Sequence, residues 1–179
     1  MPILTKDEAY ALLKKVISYS KADECEVNIG GGDSANIRYA RNSVSTSGVI
    51  SQNSLVISSA YGKKVGTATI NEFDDASLEK VVRRSEELAQ LAPENPEFVS
   101  FLGPQTYQEA KNFVPATAAI TPKMRADLVA QSLQVAKEGK AVAAGFLEDS
   151  VGYSAMMNSK GLFAYNTATG TNFSVTVRT

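Results

Sequence analysis

The sequence predicts an α+β fold: antiparallel β meanders with three helices packed on one side, arranged as a two-part pseudo-repeat. Three observations support this. Apolar residues recur at helical spacing in three segments, each opened by a Thr or Asp cap. Around those segments the period switches to two, in short runs separated by turn formers. The resulting order, helix–strands–helix–linker–helix–strands, reads as two related halves, with Arg41-Asn42-Ser43 and Met157-Asn158-Ser159 at similar places in each. With 179 residues, 44% of them hydrophobic, the chain has enough apolar material for a core and lacks the composition of a disordered segment.

The first helix spans about Lys6 to Ser20. Thr5 with Glu8 three residues later forms a capping box, and Ala9, Leu12, Leu13, Val16 and Ile17 make one apolar stripe. Cys25, Val27 and Ile29 then alternate with polar residues as a half-buried strand, and Gly30-Gly31-Gly32-Asp33 is expected to turn the chain. Further short strands are expected at Ala35–Ala40, Ser43–Ile50, Ser54–Tyr61 and, after a Gly62-Lys63 turn, Val65–Ile70. A second helix starts near Asp74-Asp75, buries Leu78, Val81, Val82, Leu88 and Ala89, and presents Arg83, Arg84, Glu86 and Glu87 to water. Proline then interrupts regular structure, and Phe98, Phe101, Tyr107 and Phe113 are expected to pin a long connection to the surface. Thr121 caps a third helix with Pro122 at its first position, Leu128, Val129, Leu133, Val135 and Ala136 inward, and Gly139 at its end. Short strands follow at Ala141–Phe146, Val151–Met157, Leu162–Thr169 and Asn172–Arg178, with Asn158-Ser159-Lys160-Gly161 as a hairpin turn. The organisation expected is a helix–meander–helix half over 1–92, a Pro-rich packed linker over 93–120, and a helix plus strands over 121–179. The alternation of Phe173, Val175 and Val177 running up to Thr179 leaves a ladder open and suggests a truncated domain.

Composition excludes several chemistries. There is no histidine and one cysteine, Cys25, so Ser-His-Asp and Cys-His machinery cannot be assembled within the chain, and a zinc site would need carboxylates almost alone. The single cysteine also excludes an internal disulfide and fits a reducing compartment. Eighteen Lys+Arg against 19 Asp+Glu leave a net charge of −1, which gives no field for nucleic acid. Charges at Lys6, Asp7, Glu8, Lys14 and Lys15 interrupt any export signal, and no apolar stretch is long enough to span a bilayer, so no membrane partner is expected and the cytoplasm is the expected location.

The remaining candidate residues have plain structural explanations. Gly30-Gly31-Gly32 precedes a strand and not a helix, which argues against a phosphate cradle. Asp74-Asp75 is explained by helix capping, Glu148-Asp149 by a polar strand connection, and Cys25 by the core. Arg38, Arg41 and Asn42 lie on a strand-rich segment and are the best candidates for a polar surface binding a substrate or partner. No residue is assigned a catalytic or metal-binding role.

Several segments carry a family resemblance. Ala22-Asp23-Glu24 leads into a strand; Ile37-Arg38-Tyr39-Ala40-Arg41-Asn42-Ser43 and Gly62-Lys63-Lys64-Val65-Gly66-Thr67-Ala68 follow, then Asp74-Asp75, Ala92-Pro93-Glu94, and Asn158-Ser159-Lys160-Gly161 before Tyr165. In this order the chain resembles the N-terminal region of the TldD/PmbA family, also called modulators of DNA gyrase or TldD-type metallopeptidases. Phe163-Ala164-Tyr165 is nearer the PmbA-like (TldE) branch. The resemblance implies a longer protein in which this non-catalytic region precedes a mainly β C-terminal domain. It implies zinc in that missing region for the TldD type, bound by a His-Glu-x-x-x-His helix and a later cysteine, and no cofactor in this chain. It also implies a homodimer or a TldD/PmbA heterodimer enclosing a chamber that admits unfolded peptide, with this region supplying subunit contacts and part of the wall. An extended peptide could add to an exposed strand edge near Arg38, Arg41 and Asn42. The alternative is a free-standing α+β interaction module without a peptidase role.

Overall fold

The computed structural model describes residues 3–179. Its strands form one five-stranded sheet in the order β3-β2-β1-β4-β5. The elements are α1 (Lys6–Tyr19), β1 (Glu24–Ala40), β2 (Ser43–Tyr61), β3 (Lys64–Ile70), α2 (Asp75–Leu91), α3 (Pro115–Ala118), α4 (Pro122–Glu138), β4 (Val142–Asn158) and β5 (Phe163–Arg178). The α+β class and the antiparallel sheet agree with the sequence, and the four-residue α3 adds a short helix to the three expected.

The strands are far longer than expected. β1 and β4 have 17 residues each, β2 has 19 and β5 has 16. The runs expected as separate at 43–50 and 54–61 are therefore one strand, and the same holds for those at 141–157 and 162–178. Gly30-Gly31-Gly32-Asp33 is not a turn: β1 passes straight through it. A Cβ on Gly31 would lie 2.1 Å from Asn53 Oδ1 and 2.5 Å from the Gln52 carbonyl oxygen, and one on Gly32 would lie 2.1 Å from the Val151 carbonyl oxygen. These glycines are there because neighbouring strands approach too closely for a side chain. The chain reverses instead at Arg41-Asn42, both at positive φ (54° and 57°), as a two-residue hairpin loop of the primed type demands. The turns at Gly62-Lys63 and Asn158–Gly161 fall where the sequence places them.

The chain divides into two compact units. The first takes the chain through Gly31, Gln52–Ala110 and Tyr153–Asn166. Its core joins Ala9, Leu13 and Val16 of α1 and Leu78, Val81 and Val82 of α2 to the alternating Cys25, Val27, Ile29, Leu55 and Ile57. Each leucine fully buried here contributes about 2 kcal/mol of transfer free energy. The Thr5–Glu8 capping box is formed: the Glu8 N–H donates to Thr5 Oγ1, and the Glu8 carboxylate accepts from the Thr5 N–H at 2.8 Å. Asp74 caps α2, accepting from the Ser77 N–H at 3.0 Å. β3 pairs antiparallel with β2 from Leu55↔Ile70 to Tyr61↔Lys64 and packs beneath α2.

Glu86, expected on the wet face of α2, is buried at 5% exposure. Its carboxylate accepts from the Lys21 N–H at 2.5 Å and from Arg83 Nη1 at 2.6 Å, while Arg83 Nη2 donates to the Tyr19 carbonyl at 2.6 Å. The last turn of α1 contains no basic residue. Arg83 therefore supplies the cation and donor that a helix C-terminus favours, and Glu86 holds it in place. Of the connection's aromatics, Phe98 and Phe101 are half-buried and meet edge to face, with the Phe101 N–H donating to Glu24 at 2.8 Å. Tyr107 remains 53% exposed.

Tyr153 donates its phenol to Asn53 Oδ1 at 2.7 Å inside this unit. Burial, and then the neighbouring Tyr165, push the Tyr153 phenol up to about 12. The neutral form is favoured in the folded chain, so the stabilisation is complete below the ordinary tyrosine value near 10 and is lost as pH rises through about 12. Stability is expected to fall by ~2 kcal/mol across that window, and Tyr153→Phe to remove this part of the alkaline dependence, read by urea unfolding at successive pH values.

The second unit takes Gly32–Ser51, Lys111–Gly152 and Thr167–Thr179. Its core packs Val129, Leu133 and Ala136 of α4 on Ile37, Tyr39, Ala143 and Leu147. Thr121 caps α4, accepting from the Met124 N–H at 3.2 Å. Leu128 and Val135, expected inward, stand 50% and 70% exposed, and Phe113 is 43% exposed. The buried position that the α4 stripe omitted is Arg125, whose Nη1 donates to both Asp149 oxygens at 2.7 and 2.9 Å. Glu148-Asp149 lies in mid-strand and not in a connection, because each carboxylate has a partner there: Ser34 Oγ donates to Glu148 at 2.7 Å.

Candidate functional site

β3 ends opposite Leu55, so the outer edge of β2 from Ser43 to Ser51 has no neighbouring strand among the described residues. Every residue from Ser43 through Gln52 is exposed, including Val44, Val49 and Ile50 at 49%, 65% and 56%. A strand in this state offers main-chain donors and acceptors in a row, flanked by small Ser and Thr side chains that leave room for another chain. No lysine, proline or inward charge blunts the edge over 43–51, although those are the usual devices against unwanted pairing.

The three residues singled out from the sequence lie beside this edge and have different surroundings. Arg38 is exposed on β1 with its guanidinium 5.1 Å from the Phe146 ring centroid, and its carbonyl accepts from Ser45 Oγ at 3.1 Å. Arg41 is exposed in the tight turn. Asn42 is committed to structure: its Nδ2 donates to the Ala141 carbonyl at 2.8 Å, and its Oδ1 accepts from the Ala143 N–H at 2.7 Å. Its amide thus ties the hairpin to the start of β4, leaving Arg38 and Arg41 as the available polar groups. The sequence suggested an exposed strand edge near these residues but not that β2 supplies it, since its openness depends on where β3 stops. The run of small residues from Ser43 to Gly48 was the local signal.

The donor set does not suit a metal. Cys25 is fully buried, with burial as the leading cause of a raised thiol pKa, and among the described residues no three His, Cys, Asp or Glu side chains converge. Nor is any described helix long and apolar enough to cross a membrane.

Fold and site together define an α+β domain that presents a bare strand edge. Residues 25–89 match the family model for PmbA/TldA metallopeptidase domain 1. TldE from Thermococcus kodakarensis superposes with a TM-score of 0.80 at 16% identity, over 94% of this chain and 42% of that one. A candidate modulator of DNA gyrase from Thermotoga maritima gives 0.73 at 18%, over 93% and 37%, and another from Bacteroides thetaiotaomicron gives 0.79 at 12%, over 96% and 41%. At these identities the likeness is one of fold. The chain spans about two fifths of each of these structures. No curated protein matches it.

Proposed function

We propose that this chain is the non-catalytic N-terminal region of a TldD/PmbA-family zinc metallopeptidase or of its companion subunit, forming subunit contacts and part of the wall of a peptide-access chamber. The family match over residues 25–89 supports the assignment, and the unpaired edge of β2 supports the role. Added strands are held by main-chain bonds, so such a wall accepts unfolded segments of varied sequence. Zinc chemistry, on this reading, belongs to another region of the protein, because the present donor set does not fit the metal. Arg38 and Arg41 give the edge a positive flank suited to a passing carboxylate or carbonyl. The family's cytoplasmic location carries over on the same basis.

A fluorescein-labelled, unstructured peptide is expected to bind the chain with an anisotropy change. Ile50→Lys, at an exposed position, should leave unfolding unchanged and weaken that binding about tenfold by placing a charge on the edge. Sedimentation across protein concentrations reports subunit contacts in the same samples. A monomer at every concentration that also fails to bind the peptide would refute the assigned role.

A further inference from the structure

The second unit contains a cavity of about 490 Å³, within the range of small-ligand sites. Ile120, Leu128, Val135, Leu147 and Phe173 supply its apolar lining, and among the described residues its wall carries two acidic or basic side chains, Arg125 and Asp149. The other polar lining, from Gln131, Ser132 and Thr171, is uncharged.

Arg125 is the informative residue. Its side chain is only 6% exposed, yet Nη1 alone is bonded, to the two oxygens of Asp149. Among the described residues no protein acceptor meets Nη2 or Nε, and no side-chain nitrogen is both unpaired and sealed from open space. A guanidinium has five donors, and those not bonded to Asp149 open onto accessible space. The space that Arg125 lines is this cavity. Asp149 already balances the guanidinium charge, so what the site lacks is an acceptor and not a counter-ion. The exposed apolar positions Leu128 and Val135, which the packing of α4 leaves unused, form part of the same lining.

We propose that this cavity binds an acyl group, its apolar chain against Leu128, Val135 and Phe173 and its neutral carbonyl oxygen accepting from the unbonded N–H groups of Arg125. The site is independent of the strand edge. The test uses the whole 179-residue chain and two probes of equal chain length, octanamide and octylammonium. In two-dimensional NMR titrations octanamide is expected to shift the amides of Ile120, Val135 and Phe173. Octylammonium, which has donors only, should bind at least about tenfold more weakly. The double variant Arg125→Met/Asp149→Leu, which removes both charges together, should bind the two probes equally. Equal affinity of the two probes for the unaltered chain overturns the proposal whether or not the variant folds, as does the absence of shifts at the three residues with either probe.

Discussion

Gly66→Ala is expected to destabilise the protein by about 3 kcal/mol or more. Gly66 sits in β3 where the backbone of α2 lies directly against it. A Cβ there would fall 2.1 Å from Ala89 N, 2.4 Å from the Ser85 carbonyl oxygen and 2.6 Å from the Leu88 carbonyl carbon. All three obstacles are helix main chain, so no side-chain rotation relieves the clash, and the helix must lift from the sheet. Lifting α2 also disturbs the buried Ser59–Ser85 hydroxyl pair, 2.7 Å apart, and the contacts of Leu78 and Val82 with the core. Gly48→Ala is the control, because nothing lies within 4 Å of its added carbon. Urea unfolding should show the midpoint fall sharply for the first variant and scarcely move for the second, with similar slopes.

Arg125→Met alone is expected to lose about 3–5 kcal/mol, whereas Arg125→Met combined with Asp149→Leu should return to within about 1 kcal/mol of the original stability. The single change leaves Asp149 charged at 9% exposure with its cation gone. Glu148, the adjacent acid, faces Ser34 and offers no replacement. The double change removes both desolvation penalties and fills the space with apolar volume. A thermal unfolding series of the two single variants and the pair gives the coupling energy directly, and a double variant as unstable as the singles would refute the burial argument.

Helix boundaries were legible because their signals are local. Thr5 with Glu8, Asp74, and Thr121 with Pro122 each cap a helix where the sequence places the cap. Turns with glycine at positive φ, Gly62 and Gly161, were equally plain. Long-range contacts were not legible. A Gly-Gly-Gly-Asp run looks like a turn until Gln52 and Val151 are known to lie against it, and Arg41-Asn42 makes a two-residue hairpin without any glycine. Arg125 carries no sign of its burial in the local sequence, because its partner lies 24 residues away on another element. Glu86 was hidden in the same way, since the Lys21 N–H it accepts from, just past α1, is 65 residues distant. At the candidate site the arginines were visible as residue types. The open edge beside them depends on β3 stopping at Ile70, and the small residues from Ser43 to Gly48 are its one local trace.

The pairing of β1 with β4 has a kinetic consequence. Cys25 meets Ser159 across 134 positions of chain, and Asn42 meets Ala143 across 101. Strands β1 to β3 can associate as soon as they are synthesised, but the inner flank of β1 must wait for the polypeptide beyond Gly139 before it is covered. Loop closure over such distances places the search in the slow regime of high contact order, on the order of milliseconds to seconds. During that delay Cys25, Val27 and Ile29 lie on a hairpin with two open flanks, a nascent state that attracts chaperones and aggregates at high expression.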